Sequence, residues 1–173
     1  MTTVYRLTKR RHQSEIFSGI GGLHASARWT PRGHRVIYTS GSIALAVLEY
    51  TLNYSHRGWV PASVLASAEW PDDLKVETVA IDRLPRNWPD AEAPLALQDV
   101  GRVWLERLES AVLQVPSAVV VEEWNFLLNP AHPDFRRLKL SPPKPYVFDR
   151  RLARTRKRCP RYQAVMESRE DVK

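Results

Sequence analysis

A single cysteine, Cys159, stands in a chain of 173 residues, so an internal disulfide and a cysteine-based metal cluster are both excluded. No apolar run approaches the roughly 18 residues that a membrane-spanning helix needs. The N-terminal Met1-Thr-Thr-Val-Tyr-Arg6 lacks the apolar core of a secretory signal, and the expected compartment is the cytoplasm. Several chemical signatures are missing too. Gly19-Ile-Gly21-Gly22 does not have the spacing of a dinucleotide fingerprint and reads as a flexible turn. No phosphate-loop Lys-Ser/Thr pair occurs, and no Gly-x-Ser-x-Gly elbow surrounds a serine. The histidines (His12, His24, His34, His56, His132) never fall in a His-Glu-x-x-His pattern, so no metal site is expected. Basic and aromatic residues are not interleaved on a strand or recognition helix as in a nucleic-acid module.

What is present is the composition of one soluble globular domain, 43% hydrophobic and 26% charged. The formal net charge of +7 and pI of about 9.9 favour an anionic partner or substrate. Much of that charge sits between Arg150 and Arg161, a run that reads as a solvated tail. Thirteen prolines divide the chain into short elements. Strands are predicted at 4–7, 35–39, 74–81, 111–115, 118–121 and 146–148, and helices at 42–56 and 97–109. Residues 18–34 are glycine-rich and irregular. Strands and helices mix without βαβ alternation, which predicts an α+β, sheet-rich fold.

Three segments carry chemical interest. In the predicted helix 42–56, Ser42, Ala46, Glu49, Asn53 and His56 share one stripe. The preceding Ile43-Ala-Leu-Ala-Val-Leu48 is wholly apolar, which predicts a helix buried nearly all round. Glu49 is then either a carboxylate at the core that needs a partner, or a helix-end carboxylate paired with a surface cation. In Ala25-Ser-Ala-Arg28-Trp29-Thr-Pro31-Arg-Gly33, small residues surround an Arg–Trp pair. A guanidinium held beside an indole suits a phosphate-bearing ligand; read alone, the pair is better explained by packing of the arginine on the indole. In Gln114-Val-Pro116-Ser117-Ala, a serine follows a strand-ending proline, and its simplest role is a turn serine bonding its own backbone.

Taken together and in order, these segments resemble the RES domain, named for Arg, Glu and Ser. The matching runs are Val4-Tyr-Arg6-Leu, Ala27-Arg28-Trp29-Thr-Pro31-Arg-Gly33, Val36-Ile-Tyr38-Thr-Ser40, Ser42 to Glu49, Val115-Pro-Ser117-Ala-Val-Val, Asn125-Phe-Leu-Leu-Asn129-Pro-Ala-His132-Pro-Asp-Phe135 and Phe148-Asp-Arg-Arg-Leu152. They span about residues 3–152, leaving 153–173 as a basic extension of a single RES domain.

The resemblance implies an ADP-ribosyltransferase-like core, with short mixed β-sheets around an NAD cleft and flanking helices. It implies the toxin of a type II toxin–antitoxin pair that breaks the nicotinamide–ribose bond of NAD by hydrolysis or phosphorolysis. The alternative within the family is transfer of ADP-ribose to a metabolic enzyme such as phosphoribosyl pyrophosphate synthetase. NAD is implied as substrate without a metal, and the implied partner is an Xre-type helix-turn-helix antitoxin that occludes the cleft and binds DNA. Glu49, Arg28 and Ser117 are the implied catalytic residues. Arg6, Arg28, Trp29, Tyr38 and Ser40 are the implied NAD-binding set, with Tyr38 stacking on nicotinamide and Ser117 touching ribose or orienting Glu49. The chain departs from the pattern at Ser26, Ala27 and Thr30, and at Asn53, where a histidine is common one helical turn after the glutamate. A reading from another class is a non-catalytic nucleic-acid binder acting through the basic C-terminal segment.

Overall fold

The strand-forming start of the chain, alternating Val4, Arg6 and Thr8 with Tyr5 and Leu7, makes a longer strand than its apolar residues alone predict: β1 runs Thr2–Lys9 in the computed structural model, which describes residues 1–54, 61–149 and 152. A 3-10 segment, Arg10–Glu15, leads into the glycine-rich region. There, one helical turn, α1 (Gly21–His24), replaces the predicted flexible turn. Gly19 takes a positive φ of 70°, a conformation that favours glycine. A side chain at Gly22 would collide with the carbonyl of His34.

The chain then forms β2 (Ile37–Ser40), α2 (Ile43–Leu52), β3 (Ser63–Trp70), β4 (Val76–Thr78), α3 (Ala96–Arg107), β5 (Val112–Pro116), β6 (Trp124–Leu128), β7 (Lys139–Leu140) and β8 (Lys144–Tyr146). Three differences from the sequence reading matter. β3 and β6 were not predicted, the apolar stretch 118–121 is a turn, and α2 stops at Leu52. His56 and the basic run from Arg150 to Arg161 lie outside the described residues, apart from Leu152.

All eight strands join in one mixed sheet of order β4-β5-β6-β2-β1-β3-β7, with β8 also on β3. Among the described strands only β4–β5 is parallel. The sheet has two halves. β1 pairs with β3 along its whole length, from Thr2–Trp70 to Lys9–Ser63. β2 pairs with β6 along its own, from Ile37–Leu128 to Ser40–Asn125. Between the halves, β1 and β2 meet at the one register pair Tyr5–Ser40. Beyond that pair the strands part, and the Arg6 side chain bridges them, its Nη1 donating to the Tyr38 carbonyl at 2.7 Å. The expected α+β arrangement of mixed strands around a cleft is present, with the halves linked at this seam.

Each half is anchored by its own apolar cluster. Leu113, Val115 and Leu127 pack against Trp104 and Leu97 of α3 and against Trp29 and Trp88. Leu7 packs against Ala46, Val47 and Tyr50 of α2. A shared cluster on the opposite face, including Val4, Ile37, Trp70, Val112 and Leu128, holds the two halves together. Helix α2 is not buried all round as its composition suggested. Leu45, Ala46, Val47 and Tyr50 face inward, while Ile43 (39%), Leu48 (41%) and Leu52 (53%) are exposed. Ten residues form fewer than three turns, and one face of so short a helix covers all the sheet available to it.

Candidate active site

A cleft of about 610 Å³ opens at the seam, with walls from β1, β2, α2, the 26–29 loop, Ala91, Ala93, Ala118, Val119 and Asn125. That volume is in the range of ordinary ligand sites.

The α2 wall is built from its N-terminus. Ser42 has the extended backbone of a helix cap, and its Oγ accepts from Leu45 N at 3.0 Å. The same hydroxyl donates to Glu123 Oε2 at 2.8 Å, setting a carboxylate at the positive end of the helix. Two turns on, Glu49 faces the cleft, half-buried. Its Oε1 accepts from Ser117 Oγ at 3.0 Å and from Asn125 Nδ2 at 2.6 Å. Asn53 ends the helix and returns its Nδ2 to the Glu49 carbonyl at 3.0 Å.

Ser117 reaches Glu49 because of what precedes it. Pro116 ends β5, and Ser117 N then donates to the Glu123 carbonyl at 3.0 Å. The Ser117 hydroxyl also accepts from Val119 N at 3.1 Å and Val120 N at 3.2 Å. Ser117 is thus the turn serine of the simplest sequence reading and a donor to the carboxylate at once. It is 0% exposed, so its oxygen has no open path to a substrate atom.

The facing wall carries the cations. Arg28 donates from Nη1 to the Trp88 carbonyl at 2.6 Å and from Nη2 to the Asp90 carbonyl at 2.8 Å. Burial pulls its pKa below the ordinary arginine value, while the charges of Glu49 and Asp90 act the other way. The loop bearing Arg28 is seated on α3, where Gly101 N donates to the Trp29 carbonyl at 3.0 Å. A Cβ at Gly101 would strike that carbonyl, so glycine is what admits the loop. Arg6, at the floor of the seam, is pulled down to about 10 by burial, and its buried Nε has no hydrogen-bond partner among the described residues. Neither arginine is in an ion pair with a carboxylate among the described residues.

The other predicted residues divide. Tyr38 lines the cleft, with its hydroxyl 2.9 Å from Thr30 Oγ1; burial pushes its pKa up to about 12. Ser40 donates from Oγ to Asn125 Oδ1 at 2.8 Å. Trp29 lines the cleft with little exposure, 2%, and its ring is 6.4 Å from that of Trp88. Residue-level reasoning missed Asn125 and Glu123. Both belong to β6 or its approach, and a signal for Asn125 existed: a polar residue at the start of an apolar run that ends in Leu127-Leu128. No group of histidine, cysteine, aspartate and glutamate side chains suited to a metal ion occurs among the described residues, and no described helix is long and apolar enough to cross a membrane.

A carboxylate held by neutral donors, facing guanidiniums that meet no carboxylate among the described residues across the seam of a split mixed sheet, defines an α+β protein with a polar cleft suited to an anionic ligand. Comparison with known proteins gives the family. The RES domain matches residues 3–149, and the chain belongs to the RES-domain toxin family. It is 33% identical to the protein "Toxin Res" of Yersinia enterocolitica over 86% of this chain and 98% of that protein. It is 31% identical to the "Prs ADP-ribosylating toxin" of a Sphingobium species, over 84% of this chain and 91% of that one. Among solved structures, the M. tuberculosis MbcT–MbcA toxin–antitoxin complex contains a chain with a TM-score of 0.69 and 16% identity, aligned over 84% of each chain. That likeness is one of fold.

Proposed function

We propose that this protein is the toxin of a toxin–antitoxin pair and cleaves the bond between nicotinamide and ribose in NAD. The observation that carries the proposal is the Glu49 carboxylate, tied down at Oε1 by Ser117 and Asn125 in the seam cleft, with Arg28 and Arg6 on its other walls. NAD is a dianionic pyrophosphate joined to a sugar whose bond to the cationic ring is to be broken, and the two kinds of wall suit its two parts.

As nicotinamide leaves with the bonding electrons, positive charge develops on the ribose ring. A carboxylate fixed nearby favours that state over the ground state, which is the condition for catalysis. Water then adds to the ribose carbon and loses a proton, leaving ADP-ribose; phosphate adding instead gives the phosphorolysis product. Arg28 and Arg6 bind the pyrophosphate oxygens. Tyr38 lies against the nicotinamide ring, and Ser117 acts through Glu49. The antitoxin covers the cleft and excludes NAD.

Purified protein incubated with NAD is expected to release free nicotinamide, and Glu49→Ala to abolish the release. No release at high enzyme concentration, or an unimpaired Glu49→Ala variant, overturns the proposal. The similarity to an ADP-ribosylating toxin favours one second reading, transfer to a protein acceptor. NAD labelled in its adenylate half separates the two: transfer leaves the label on one protein band of a lysate, hydrolysis leaves it only in small molecules.

A further inference from the structure

Asn125 lies where four elements meet. Its backbone, at the start of β6, pairs with Ser40 of β2 on one side and Val115 of β5 on the other. Its side chain reaches Glu49 of α2, the shortest hydrogen bond that carboxylate makes. An ionised carboxylate only accepts. Glu49 therefore requires the amide nitrogen of Asn125 to face it, which turns Oδ1 toward Ser40 and requires the Ser40 hydroxyl to donate, as it does at 2.8 Å. The polarity of the chain Ser40, Asn125, Glu49 is fixed from the carboxylate outward.

Ser117 and Asn125 both donate to Oε1, and no described residue donates to Oε2. The two donors come from opposite ends of the β5–β6 turn, so they define both the position and the rotation of the carboxylate plane. A single donor would leave the group free to turn about that bond.

We infer that Asn125 is a positioning residue for this reaction: backed by Ser40, it locks Glu49 Oε1 so that Oε2 is the oxygen presented to the substrate. The inference rests on the assignment of Glu49 as the catalytic carboxylate, so its test includes a reading that does not depend on turnover. Losing one hydrogen bond to a charged group is expected to lower kcat about 10- to 100-fold in Asn125→Ala, with KM within about 2-fold of wild type, because the pyrophosphate wall is untouched. Asn125→Asp separates positioning from packing. It is isosteric, so a merely structural asparagine tolerates it. As a like charge 2.6 Å from Glu49, it is expected above neutral pH to be at least as inactive as Asn125→Ala. Ser40→Ala, one bond further away, is expected to show the same kcat-limited defect in weaker form.

The independent reading is the Asn125 side-chain amide in a 15N NMR spectrum, expected to move strongly in Glu49→Ala. Wild-type kcat in Asn125→Asp, or a defect of Asn125→Ala confined to KM, overturns the positioning role. An Asn125 amide indifferent to Glu49→Ala overturns the coupling itself, whatever the turnover. A coupled amide in a protein that never cleaves NAD overturns the proposed reaction and, with it, the catalytic meaning of the coupling, leaving only the structural bond.

Discussion

The two walls of the cleft solve opposite electrostatic problems in opposite ways. On the α2 wall, the Glu49 carboxylate is met by neutral donors, Ser117 and Asn125. On the facing wall, among the described residues, Arg28 and Arg6 meet only carbonyl oxygens of Trp88, Asp90 and Tyr38, and both have lowered pKa values. No ion pair between described residues closes the cleft. Had Arg28 and Glu49 paired directly, each would have satisfied the other and a substrate would have had to break the pair. Kept apart, under the proposed reaction, the carboxylate is settled until positive charge develops on the ribose, while the arginines are under-compensated and gain from the pyrophosphate of the bound substrate. On that proposal one wall serves the transition state and the other the ground state.

That contrast breaks most visibly at Glu49. Glu49→Gln keeps an oxygen able to accept from Ser117 and Asn125 but removes the charge. It is expected to reduce kcat about 10²- to 10³-fold with KM little changed, measured by nicotinamide release. An equal fall through KM would place Glu49 on the binding side of the comparison. Arg28→Lys addresses the other wall. A lysine keeps the charge but has one nitrogen where Arg28 uses two to hold separate carbonyls. KM for NAD is expected to rise about 10-fold, with kcat nearly unchanged; a kcat defect of that size would mean that Arg28 serves the chemical step. Ser117→Ala removes one of the two donors to Oε1 and two turn bonds, and kcat is expected to fall about 10-fold. Because Ser117 is fully buried, a nucleophilic role predicts complete loss instead, which the size of the defect distinguishes.

How much of this was legible in the sequence depends on whether a signal was local. β1, β2, α3 and the start of α2 follow from residue pattern. β3 was hidden because Ser63, Ala66, Ser67 and Ala68 are poor strand formers, although Val64, Ala66, Ala68 and Trp70 alternate correctly on its buried face. The opposite error occurred at Ala118-Val-Val-Val121, which has strand propensity but turns because the Ser117 hydroxyl captures the amides of Val119 and Val120. That misreading concealed β6, and with it Asn125. Glu49, Arg28 and Ser117 were indistinct one by one and sharp only in ordered context, because what unites them is the seam between β1 and β2, a contact between distant parts of the chain. The exposure of Ile43, Leu48 and Leu52 was equally out of reach, since the amount of sheet available to α2 is a tertiary fact.

The smallest effect at neutral pH concerns the arginine in the seam, and it runs against the usual direction of mutation. A cation buried without a counter-charge destabilises the fold, and replacing such a group with an apolar side chain of similar length is often stabilising. Arg6→Met is expected to raise the stability of the free protein by about 1–2 kcal/mol in urea unfolding while weakening NAD binding. The pH dependence supplies a second check. Arg6 falls from the ordinary arginine value to about 10 on folding, so above about pH 10 the unfolded chain holds more protons and the contribution of Arg6 to stability rises with pH. Tyr38 moves from 10.0 to about 12; there the folded chain holds more protons, and its contribution is lost as pH climbs through the same interval. In the wild type the two trends oppose each other. In Arg6→Met the Arg6 contribution is gone and the Tyr38 trend is opposed less, so the variant is expected to lose its advantage and decline more steeply than wild type between about pH 10 and 12. A variant less stable than wild type at neutral pH would mean that the bond from Arg6 to the Tyr38 carbonyl outweighs the burial of the charge, and that the seam is held together by the residue proposed to bind the pyrophosphate.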